Sequence, residues 1–195
     1  MIDFVLPRRA VPMQLVAGEG HYDLVVGSVL SARCSVWIAT ANLKDLMIRR
    51  EGIELGKGRR ARYRSVIEVF DQLAERQVEL RILHATTPSR SFRERFDKHP
   101  RLVSGGLELR LCPRVHLKAV IVDGATLYLG SANWTGAGLG AKAGGRRNFE
   151  LGLVTDDPLY LDQVQGIYDR IWRGLECHGC KRREICEAPL DTDLG

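Results

Sequence analysis

The sequence predicts a layered α/β domain. Three observations carry that reading. Short apolar runs with strand-like alternation recur along the chain. Amphipathic stretches with a helical period separate them. An Asp123-Gly124 pair between two apolar runs marks a hairpin. At 195 residues and 45% hydrophobic content, the chain can bury one full core and carry a small appendage. The division expected is a main domain over residues 1–174 and a Cys-rich tail over 175–195.

His21 to Arg33 places Leu24, Val25, Val29 and Leu30 at helical spacing, so a first helix is expected there. Ser35 to Leu43 reads as a buried strand centred on Val36, Trp37 and Ile38. Ala61 to Gln77 reads as a helix with Val66, Ile67, Phe70 and Leu73 as its inner stripe. Val78 to His84 alternates like a half-buried strand. Ser89 to Lys98 is a short charged helix stopped before Pro100. Leu107 to Cys112 is a strand announced by Gly105-Gly106. The hairpin pairs His116–Val122 with Thr126–Leu129. Asn148 to Thr155 is a further strand, and Asp157-Pro158 starts a helix reaching Arg173.

The chemistry concentrates in the hairpin. His116 and Lys118, two residues apart in an extended segment, point to one side. An imidazole can attack phosphorus or shuttle a proton, and an ammonium can hold a phosphoryl oxygen. Ser131 and Asn133 follow closely and add neutral donors. Asp123 sits at the turn, where Asp-Gly is favoured for backbone reasons alone, and a structural role is expected beside the catalytic one. Gly130 is expected to allow close backbone approach. His21, His84 and His99 have no motif around them.

His116-x-Lys118 with Asp123, Gly130-Ser131-x-Asn133 and Asn148-x-Glu150 resembles the phospholipase D superfamily, more weakly over residues 12–174. That family includes lipid hydrolases, cardiolipin synthases, nucleases and a tyrosyl-DNA phosphodiesterase, so the resemblance bears on chemistry more than on substrate. It implies a mixed β-sheet flanked by helices on both faces. It also implies a phosphodiesterase that works through a phosphohistidine on His116 and needs no catalytic metal. Lys118, Asn133 and Ser131 would neutralise the phosphoryl oxygens, and Glu150 would orient His116. Larger relatives carry two such signatures, whereas this chain has one. The resemblance therefore implies a homodimer whose composite site holds one His116 from each subunit.

Net charge is +5, which permits a polyanionic partner without requiring one. Basic residues crowd between Arg49 and Arg64. Lys57, Arg59, Arg60 and Arg62 lie among glycines there and could follow a phosphate backbone, with a solvated loop as the plain alternative. Nucleic acid is the expected substrate class and lipid the alternative. No run approaches the roughly 20 apolar residues of a membrane helix, and no signal-peptide order is present, so a cytoplasmic protein is expected. The tail carries Cys177, His178, Cys180 and Cys186. A C-x-x-C with a third Cys nearby resembles a metal knuckle, with structural zinc expected and an iron–sulfur cluster as the alternative. His178 is one choice for the fourth ligand, although it adjoins Cys177. Cys34 or Cys112 could serve if the tail folds back.

Overall fold

A computed structural model describes residues 2–49 and 63–192. Its strands are β1 (Gln14–Ala17), β2 (Ser35–Thr40), β3 (Met47–Arg49), β4 (Tyr63–Ser65), β5 (Glu79–His84), β6 (Glu108–Leu111), β7 (Ala119–Val122), β8 (Thr126–Gly130) and β9 (Leu151–Thr155). A π-helical turn, His21–Val26, runs into α1 (Gly27–Leu30). The longer helices are α2 (Val66–Glu75), α3 (Arg90–Phe96) and α4 (Pro158–Trp172). Seven strands form one mixed sheet in the order β1-β9-β8-β7-β2-β5-β6, while β3 and β4 pair separately. β2, β5 and β6 run parallel, joined by helical crossovers. β7, β8, β9 and β1 each lie antiparallel to their neighbours.

Alternation along the strands divides the core in two. Val36, Ile38, Val120 and Val122 face α1, α2 and α3 in the larger cluster, with Phe70 stacked on Trp134. Ala39, Ala119, Ile121 and Leu127 face the other way, toward α4 and the tail, where Trp37, Tyr168 and Trp172 stack in series. Helices thus cover both faces. Capping sets the helix starts. Ser65 accepts from the Ile67 amide while Glu68 accepts from the Ser65 amide, and the Asp157 carboxylate accepts from the Tyr160 amide ahead of Pro158.

Several boundaries differ from the sequence reading. The expected helix over 61–77 starts only at Val66, because Tyr63–Ser65 pairs with Met47–Arg49 instead. The strand expected from His116 begins at Ala119, leaving His116 and Lys118 in the extended lead-in. β1 has no counterpart in the sequence reading. Only Val16 of it is buried, and it is held by pairing with β9. Lys57, Arg59, Arg60 and Arg62 lie outside the described residues.

Candidate active site

Three adjacent strands bring the site together at one edge of the sheet. Lys118 precedes β7, Ser131 follows β8 and Glu150 precedes β9. The Lys118 carbonyl accepts from the Gly130 amide at 3.1 Å and the Leu151 carbonyl accepts from the Ser131 amide at 2.9 Å, so the three ends are in register. Gly130 and Gly152 are paired across β8 and β9. A Cβ on either would collide with the Tyr128 ring, which lies over both. Glycine at these two positions is therefore a packing requirement.

His116 is exposed. The Lys118 ammonium lies 3.1 Å from its Nδ1, 3.0 Å from its Nε2 and 2.9 Å from its carbonyl oxygen. Near-equal distances to both ring nitrogens mean that no single directed bond fixes the imidazole; the two groups share one small volume. Partial burial holds the Lys118 amine below its usual range, with the Glu150 carboxylate pulling the other way.

Asn133 is held by its carbonyl end. Oδ1 accepts from the Ala41 and Asn42 amides at 3.1 Å each and from Thr40 Oγ1 at 3.3 Å. The amide NH2 is the end left to donate to a ligand. Thr40 is a positioning residue that sequence reasoning misses. Its hydroxyl also accepts from the Trp134 amide at 2.9 Å, tying the end of β2 to the Gly-Ser-x-Asn turn. The signal for it is the polar Thr-Ala-Asn step directly after a buried apolar strand.

Glu150 accepts a hydrogen bond from the Ser131 hydroxyl and one from Asn148 Nδ2 at 3.1 Å. Within one chain the carboxylate holds Ser131 and Asn148, and it reaches Lys118 through charge. His21, unassigned from sequence, is fully buried near this carboxylate. It meets Tyr128 edge-on at 5.6 Å, and burial lowers its pKa.

Asp123 belongs to the opposite end of β7. Its carboxylate accepts from the amides of Arg33, Cys34 and Ser35 at 2.7–3.1 Å, and its φ is 54°. Burial pushes this carboxyl up, but the amides of Ser35, Cys34 and Arg33 outweigh it and the net pKa is lowered. Asp123 anchors the start of β2. Its place among the catalytic residues is corrected on this geometry, since seven extended residues span roughly 20 Å.

Beside the site, the segment joining Asn133 to Asn148 lines a groove of about 560 Å³ with the β3–β4 pair. Lys142 and Arg146 contribute to its wall, as does Asp45. On the flank, Leu15, Leu151 and Leu153 share one sheet face and are exposed, as is Phe149. In the tail, Cys177, Cys180 and Cys186 are half-buried. Among the described residues, no three His, Cys, Asp or Glu side chains converge on the position of a single metal ion.

The family described as cardiolipin synthase, phospholipase D-like domain, matches residues 29–172. The chain therefore belongs to the phospholipase D-like family, a superfamily of phosphodiesterases, and is an enzyme of that class. Among solved structures it resembles NucT from Helicobacter pylori, with 18% identity, a TM-score of 0.57, and coverage of 83% of this chain and 95% of that one. It resembles the phospholipase D family member Nuc from Salmonella typhimurium with 17% identity, the same TM-score and the same coverage. TrmBL2, an archaeal chromatin protein with a novel mode of DNA binding, aligns with 14% identity and a TM-score of 0.51, over 83% of this chain and 52% of that one. No curated protein sequence matches the chain. Among the described residues, no helix is long and apolar enough to cross a membrane.

Proposed function

We propose that this protein is a nuclease that cleaves nucleic-acid phosphodiester bonds with His116 as the nucleophile. A ring nitrogen of one His116 bonds to phosphorus as the P–O bond to the leaving strand breaks, and His116 of the partner subunit gives that oxygen its proton. Water then attacks the phosphohistidine, losing its proton to the same partner imidazole and freeing His116. Lys118 and the Asn133 amide take up the charge on the phosphoryl oxygens. The two roles require one imidazole to act neutral, as nucleophile, and the other protonated, as acid.

The observation that carries the nucleic-acid reading is the groove walled by Lys142 and Arg146, because the segment forming it joins two site residues, Asn133 and Asn148. A groove with cations in its wall, formed by a segment anchored at Asn133, suits a strand whose phosphates extend beyond the one being cut. An exposed apolar strip supports the second subunit. Leu15 and Leu151 are 72% and 59% exposed beside Glu150, an apolar strip of the kind that protein contacts cover. A lipid phosphodiesterase is the second reading, and the same strip would then meet the lipid.

Purified protein should cleave short DNA or RNA strands, leave phosphatidylcholine vesicles unhydrolysed, and keep its rate in EDTA. Vesicle hydrolysis without strand cleavage would exchange the two readings. Instant loss in EDTA with rescue by Mg²⁺ would end the histidine mechanism. Replacing both Lys142 and Arg146 with Ala should reduce the log–log salt slope of binding by roughly 0.7 to 0.9 for each phosphate left without its cation.

A further inference from the structure

The tail does more than end the chain. After α4, Gly174 turns with φ +69°, and a Cβ there would strike the backbone of Leu190 and Asp191. The returning segment buries Leu190 against Trp172, while Arg110 donates to the carbonyls of Trp172 and Leu190 at 2.8 and 3.4 Å. This docking brings the tail to the end of β6, where Cys112 lies. Cys112, Cys177, Cys180 and Cys186 all line one pocket, closed on its apolar side by Leu111 and Leu190. The fifth cysteine, Cys34, is exposed elsewhere, and His178 does not line the pocket.

We propose that Cys112, Cys177, Cys180 and Cys186 hold a [4Fe–4S] cluster that fastens the tail to the turn leading into His116. Four thiols and no other metal-binding side chain line the pocket, which is the ligand set of such a cluster. A single zinc would take the same four thiolates, so metal content separates the two. Successive tight turns present the tail thiols: the Cys180 amide donates to the Cys177 carbonyl at 3.1 Å, and the Cys186 amide to the Arg183 carbonyl at 3.3 Å. Charge also fits. Arg114, Arg182 and Arg183 line the pocket and no carboxylate does, which suits an anionic cluster ligated by four thiolates. Cys112 closes a turn through the Val115 amide at 2.9 Å, one residue before His116. Displacing His178 in favour of Cys112 also removes the strain of adjacent ligands at positions 177 and 178.

Metal content tests this independently of any activity. Protein purified without oxygen, or reconstituted with ferrous iron and sulfide, should be brown and carry about four irons and four acid-labile sulfides per chain. Its visible absorption should bleach with dithionite. Cys112→Ser should lose most of the iron, and Cys34→Ser should keep all of it. One zinc per chain with no iron, or no metal after reconstitution, would overturn the proposal. So would full iron retention by Cys112→Ser. Should Cys112→Ser fail to fold, the iron-to-sulfide ratio of the wild-type protein still decides.

Discussion

β7 has two ends that do opposite work. At one end His116 is exposed and Lys118 is its closest polar partner. At the other end Asp123 spends its carboxylate on three backbone amides at the head of β2. All three residues belong to one short signature. Only the end with uncommitted polar groups can meet a substrate, and the satisfied end can only hold the fold. Membership in a signature therefore does not make a residue catalytic; what its polar atoms are already bonded to decides.

The largest test of that contrast is His116→Ala. Strand cleavage should fall to background in a turnover assay while the melting temperature stays unchanged, because the side chain is exposed. Mixing this variant with wild type should produce nearly inactive heterodimers, and full activity at dilutions that give monomers would break the composite-site reading.

Lys118→Ala and Asn133→Asp should come next, each costing about 10²-fold or more in turnover. The Asn133 change is the more discriminating. Aspartate keeps an acceptor for Ala41, Asn42 and Thr40 but loses the donor and repels phosphate. Lost activity with native thermal stability would assign the NH2 to chemistry. Lost stability would assign Asn133 to the fold.

Asp123→Asn should act the other way round. Folding stability should drop by about 1–3 kcal/mol, the scale of weakened bonds to a charged acceptor. Turnover of the folded variant should be unchanged. The sign with pH follows from the lowered pKa. A carboxyl depressed in the folded state stabilises fully above its unfolded pKa of about 3.9 and loses that contribution as pH falls through the folded value. The stability gap between wild type and variant should therefore close under acid denaturation. A gap that widens at low pH would sink this account.

The smallest effect belongs to Glu150→Gln. Glutamine can still accept from Ser131, so Ser131 should stay in place. Turnover should fall by less than for Lys118→Ala, since Ser131 keeps its acceptor and what is lost is the charge facing Lys118 and the acceptor for Asn148.

Much of this is legible in the sequence. The period-2 spacing of His116 and Lys118, the Gly-Ser-x-Asn turn, the Asp-Gly hairpin and the helices begun by Ser89 and Asp157 are all local patterns. Local backbone preferences and side-chain alternation act over a few residues and leave marks in order. Tertiary structure decided the partners. It sent Asp123 to the amides of Arg33–Ser35, Glu150 to Ser131, the Asn133 carbonyl to the end of β2, and Cys112 to the tail cysteines. It also turned Tyr63–Ser65 into a strand against Met47–Arg49 where the helical stripe predicts a continuing helix. A polar atom bonds whatever donor or acceptor the packed fold brings within about 3 Å, and sequence spacing does not encode that choice.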